Sequence, residues 1–185
     1  MSPYFDDPYF DSIRKWVLPA GPKEGRDPVR VSREYIALRR RVLAESPADL
    51  GLAPSERLPR VWAVLVDYEA GANVVTVTCV ADGTTSLYSG VGGGIVGAGS
   101  VPAVAAAAGS LLDVAERVLD ALPAADKVAL PPVGSVAFLV MTYGGMHRIE
   151  VPEAEVMEVA AGSVHELYVA TGDVVTELRR ADAAG

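Results

Sequence analysis

Val61-Trp62-Ala63-Val64-Leu65-Val66 is apolar on both alternating faces, which reads as a central strand buried on either side of a sheet. The neighbouring chain extends that sheet. Gly71-Ala72-Asn73 supplies a turn, and Val74 to Ala81 is β-branched and strand-like. Asp82-Gly83 is a two-residue hairpin signal. Thr84 to Ser89 returns as a third strand, more polar and so placed nearer an edge.

Upstream, a helix is predicted from Ser32, a good N-cap, with Tyr35, Leu38, Val42 and Leu43 as its apolar stripe. It ends before Pro47, and a connector punctuated by Pro47, Pro54 and Pro59 leads to the first strand. Downstream, Val101, Val104, Ala108, Leu111, Leu112 and Ala115 recur at helical spacing. Ser100 is the expected N-cap of this second helix, Pro102 lies in its first turn and Pro123 closes it. Val136 to Tyr143 and Met146 to Val151 form a second pair of strands around Gly144-Gly145. A short helix is expected over Glu153 to Val159. Ser163 and Glu166 have the spacing of a capping box opening the last helix.

The order is α-βββ-α-ββ-α. Short connections favour antiparallel neighbours. The expected fold is α+β: a five-stranded, mainly antiparallel sheet with helices mainly on one face. Residues 32–185 are read as one domain and residues 1–31 as an arm. Five of the twelve aromatics lie in that arm (Tyr4, Phe5, Tyr9, Phe10 and Trp16), more than a solvated tail would carry. The arm is therefore expected to dock, on its own domain or on a second copy.

The 185 residues carry a net charge of −8, with a pI of about 4.7. Such a surface disfavours nucleic acid and anionic lipid and favours basic protein partners. Arg33, Arg39, Arg40 and Arg41 could make a local basic patch, but read more simply as a solvated helix face. No residue between Asp82 and Asp113 is charged. That stretch is mostly Gly, Ala, Ser and Thr with Pro102 inside it, and it does not read as a membrane span. The acidic start, Met1 to Asp7, does not read as a secretory signal, so a cytoplasmic location is expected.

Few residues offer chemistry. Cys79, the one cysteine, reads as a buried strand thiol rather than a nucleophile. His147 alternates with Ile149 and Val151, and His165 lies in the first turn of a helix. Neither makes an i, i+4 metal pair, and no metal or cofactor is expected. Glu153, Glu155 and Glu158 have the spacing of a solvated helix face.

The unusual block is Ser89 to Ser100. Gly92, Gly94 and Gly97 match G-x-G-x-x-G, but the strand before them is polar and no acid-tipped second strand follows at the right distance. No Gly-Lys-Ser/Thr follows either. Two readings of Gly92, Gly93, Gly94, Gly97, Gly99 and Ser100 remain. In one, backbone N–H groups at a helix start cradle a small anion or nucleotide. In the other, the block is a joint where helix and sheet approach too closely for side chains; this reading is preferred.

Asp82-Gly83, Thr85 to Tyr88, Gly92 to Ile95 and Gly97 to Gly99, leading into an alanine-rich helix, resemble a group of short, uncharacterised bacterial proteins. Phe138 to Gly145 and the last helix extend the resemblance, which implies no particular activity. The element order is similar only at the level of topology to profilin-like and roadblock-like regulatory modules. The expected function is a non-enzymatic interaction or regulatory module, self-associating through the arm or the alanine-rich helix. An anion-binding protein, with or without enzymatic activity, and an immunity- or antitoxin-like protein are the alternatives.

Overall fold

The computed structural model describes residues 31–69, 73–158 and 162–184. The arm, apart from Val31, lies outside the described residues, as do Gly71 and Ala72 of the expected turn. The chain forms α1 (Arg33–Ala44), β1 (Val61–Glu69), β2 (Val74–Val80), β3 (Thr85–Ser89) and β4 (Gly94–Ile95). A 3₁₀ turn (Ala98–Ser100) leads into α2 (Pro102–Val118). After it come β5 (Ala124–Ala125), β6 (Ser135–Thr142), β7 (Gly145–Pro152), α3 (Glu153–Glu158) and α4 (Ser163–Ala184).

The α+β class and the antiparallel sheet stand, but the sheet has seven strands, not five, in the order β4-β3-β2-β1-β6-β7-β5. The two additional strands are β4 and β5, each two residues long and each at an edge. Two residues cannot display a period, so pattern reading passes over them. Such short edges leave little ladder for another chain to extend.

Side chains alternate across the strands and separate two packing layers. On one face Val64, Val66, Val77, Cys79, Phe138 and Val140 meet α2 and α4 in the main core. On the other, Leu65, Trp62, Val74 and Tyr88 pack against residues of α1 and the connector after it. Helices therefore cover both faces, with the two longest on the first. Among the described residues α1 is the one helix on the second face, so the helices lie mainly on the first.

Several helix ends differ from expectation. Ser32 does cap α1, its hydroxyl accepting from the Tyr35 N–H at 3.1 Å. At α2, however, the N-cap position is Val101, with no side-chain cap, because a 3₁₀ turn takes up Ala98–Ser100. Ser163 is the first residue of α4 rather than its cap. The Glu166 N–H bonds back to the Gly162 carbonyl, and the Glu166 carboxylate pairs with Arg117 of α2 instead of closing a capping box.

Glu116 fixes where β1 starts relative to α2. Its Oε2 accepts from the backbone N–H of Arg60 at 3.0 Å and of Val61 at 2.8 Å, while Oε1 accepts from Arg60 Nε at 2.6 Å. The Arg60 guanidinium also reaches the Glu116 carbonyl and Asp120. Burial pushes the Glu116 pKa up, but the bonds from Arg60 and the two amides outweigh it and leave the pKa below the usual carboxylate range. A carboxyl whose pKa falls on folding stabilises the fold fully above its unfolded value, about 4.3. That contribution is lost as pH falls through the lower folded value. Glu116→Gln is therefore expected to lower stability at pH 7 and to flatten the acid limb of a urea-denaturation pH profile. An unchanged acid limb would count against this role.

Candidate functional site

The face of the sheet towards α1 carries a polar network. Asp67 and Glu69 of β1 point to this side, and Asp67 is cross-strand partner to Thr76. Asp67 is fully buried. Its carboxylate accepts from Arg39 Nε at 3.1 Å and from Arg39 Nη2 at 2.6 Å, and from the Thr76 hydroxyl at 2.7 Å. The Thr76 hydroxyl has given its one proton to Asp67, so the Tyr35 hydroxyl, 2.8 Å away, is the donor in their bond. Burial and then the charge of Asp67 raise the Tyr35 pKa, which keeps that proton in place. Arg39 Nη2 also donates to the Val128 carbonyl at 2.6 Å, tying in the segment between β5 and β6.

Arg39 thus departs from the solvated face expected for the four arginines. Arg33, Arg40 and Arg41 are exposed, and Arg41 pairs with Glu45 within α1.

Beside this latch lies a groove of about 240 Å3 between α1 and the outer face of β2 and β3. Leu38 and Val42 of α1 and Leu50 of the connector form one wall, and Trp62 of β1 also lines the groove. Thr78, Ser86 and Tyr88 put hydroxyls on its floor, with Val80 among them. Glu45, Arg41 and Asp82 stand on the polar rim, so both charge signs are present. Tyr88 is held from below. Its hydroxyl lies 3.3 Å from Thr78 Oγ1, and its ring meets that of Tyr35 edge-on at 5.7 Å between centroids. Burial pushes the Tyr88 pKa up to about 12, so the groove presents it as a neutral hydroxyl.

The glycine block forms the far rim. Its first half is the β3–β4 hairpin, where Gly92 N–H donates to the Ser89 carbonyl and Ser89 N–H to the Gly93 carbonyl, both at 3.0 Å. Gly92 and Gly93 have left-handed φ angles of 104° and 82° at this turn. Val91 N–H donates to Asn73 Oδ1 at 3.1 Å, and Gly97 N–H to Ser86 Oγ at 3.2 Å. Gly94 lies in β4, where a Cβ would stand 2.3 Å from the Leu87 carbonyl oxygen. A Cβ on Gly99 would stand 1.7 Å from the Gly83 carbonyl oxygen. Ser100 ends the 3₁₀ turn before α2. The six residues are therefore spread over a hairpin, an edge strand and a 3₁₀ turn. Val96 and Gly97 alone from this block line the groove.

The other candidates occupy structural positions. Cys79 is completely buried, and burial raises its pKa to about 12. His147 Nδ1 lies 2.8 Å from the Leu122 carbonyl, and His165 Nδ1 lies 3.3 Å from that of Val156. Glu153 accepts from the Tyr168 hydroxyl at 3.0 Å, and Glu155 borders an apolar cavity of about 280 Å3 beside β7 and α4. The Glu158 side chain lies outside the described residues. Among the described residues, no three His, Cys, Asp or Glu side chains gather as metal ligands, and no helix is long and apolar enough to cross a membrane.

Sequence reasoning missed the groove, although its floor left a signal. In Thr76-Val77-Thr78-Cys79 and Thr84-Thr85-Ser86-Leu87-Tyr88, alternate positions carry hydroxyls, marking a polar-facing side. Comparison with protein-family models, curated proteins and solved structures finds no match to this chain.

The glycines differ in what they protect. Gly97 has a left-handed φ of 74° with nothing near its missing Cβ, so Gly97→Ala carries only a backbone penalty of roughly 1–2 kcal/mol. Gly99→Ala drives a methyl into backbone that cannot yield. Thermal denaturation should show a clearly larger loss for Gly99→Ala. Equal losses would contradict the close packing.

Proposed function

We propose that this protein is a non-enzymatic interaction module that holds an extended peptide segment in the groove between α1 and the outer face of β2 and β3. The groove's composition carries this reading. Leu38, Val42 and Leu50, partly exposed, offer apolar contacts along the groove, and the floor beneath them carries the hydroxyls of Thr78, Ser86 and Tyr88 rather than charge. Val96, 64% exposed at its rim, offers an apolar contact that folding alone does not use.

Two further features support it. Cys79, His147 and His165, the groups best suited to covalent or acid–base work, are buried or bonded to backbone carbonyls. The glycine block supports anion binding less well, because the amides of Val91, Gly92 and Gly97 already have partners. The two-residue edge strands offer a second copy little ladder to extend.

Panning the full chain against a displayed peptide library tests the proposal. Selected peptides should bind Val96→Asp at least about tenfold more weakly, a loss of roughly 1.4 kcal/mol. Val133→Asp, at an exposed position outside the groove, should leave their binding unchanged. Absence of enrichment, or equal binding to both variants, would overturn the proposal.

A further inference from the structure

We infer that the groove's resident segment is the chain's own arm, through the aromatic stretch from Tyr4 to Trp16, so that the arm competes internally with any partner. This rests on the groove being a peptide site.

The point of departure supports it. The Ser32 N–H donates to the Gly90 carbonyl at 2.6 Å, and Val31 packs with Tyr35, Val74 and Tyr88. Val31 and Ser32 therefore lie beside the turn of the β3–β4 hairpin, whose opposite end supplies Val96 and Gly97 to the groove. Tyr88 belongs both to the cluster around Val31 and to the groove floor.

Length and chemistry agree. Residues 17–31 can span roughly 50 Å when extended, at about 3.3–3.6 Å per residue, so Trp16 and the aromatics before it have ample reach. Tyr4, Phe5, Tyr9, Phe10 and Trp16 are large apolar side chains suited to cover Leu38, Val42, Leu50 and Val96, the partly or fully exposed apolar residues of the groove. Asp6, Asp7 and Asp11 with Arg14 and Lys15 carry both charge signs, as does the rim with Arg41, Glu45 and Asp82. Tethering keeps the arm's local concentration high, so modest contacts hold it, yet a stronger segment displaces it.

A nitroxide on Phe10→Cys in the full chain tests this. Cys79 is the only native thiol and is fully buried, so labelling is confined to position 10. Amide NMR signals of Thr78, Ser86, Tyr88 and Val96 should lose most of their intensity at every protein concentration, while those of α4 keep theirs. Val96→Asp, or a peptide selected by panning, should restore the lost signals. Loss only when labelled chains are mixed with separate isotope-enriched chains would place the arm on a second copy and overturn the inference. Loss elsewhere, or none, would also overturn it. Selected peptides that still bind the full chain but not Val96→Asp would then show that the groove reading survives without the arm.

Discussion

Asp67 is a carboxylate with no solvent exposure in the middle of a seven-stranded sheet, and the arrangement of that face depends on how it is satisfied. Removing a carboxylate from water costs several kcal/mol, which only close partners offset. Arg39 supplies charge and two donors from α1, and Thr76 supplies a third from the next strand. The Tyr35 hydroxyl completes the chain through Thr76. Breaking such a buried pair by removing one partner costs about 3–5 kcal/mol. The pair is thus better understood as fixing where α1 sits than as adding net stability.

The groove follows from that placement. Leu38 and Val42 reach it from the helix that carries Arg39, Thr78 reaches it from β2 beside Asp67's strand, and Tyr88 from β3 beyond that. The glycine block sets the opposite rim by close backbone contact. Gly94 lies against β3 and Gly99 against the β2–β3 turn, which positions Val96 and Gly97 beside Ser86. Latch and hairpin together hold open a cleft that neither makes alone.

Much of this was legible in the sequence, for identifiable reasons. Five strands and three long helices announce themselves by period. The first strand reads as apolar only to Val66, yet it runs to Glu69. It continues because Asp67 finds Arg39, 28 residues earlier in the chain, a pairing that no local pattern displays. Arg39 was equally opaque, since three of its neighbours in type are exposed. β4 and β5 were too short to show alternation. The groove is assembled from α1, the connector, three strands and a hairpin, and only the alternating hydroxyls of β2 and β3 hinted at it.

Amide hydrogen exchange on Arg39→Met measures the latch most directly. Local openings report the stability of each segment separately. If the Arg39–Asp67 pair holds α1 in place, protection of the amides of Tyr35 to Leu43 falls steeply while that of β6 and α2 changes far less. Unchanged protection in α1, or an equal fall throughout the sheet and α2, would contradict the account.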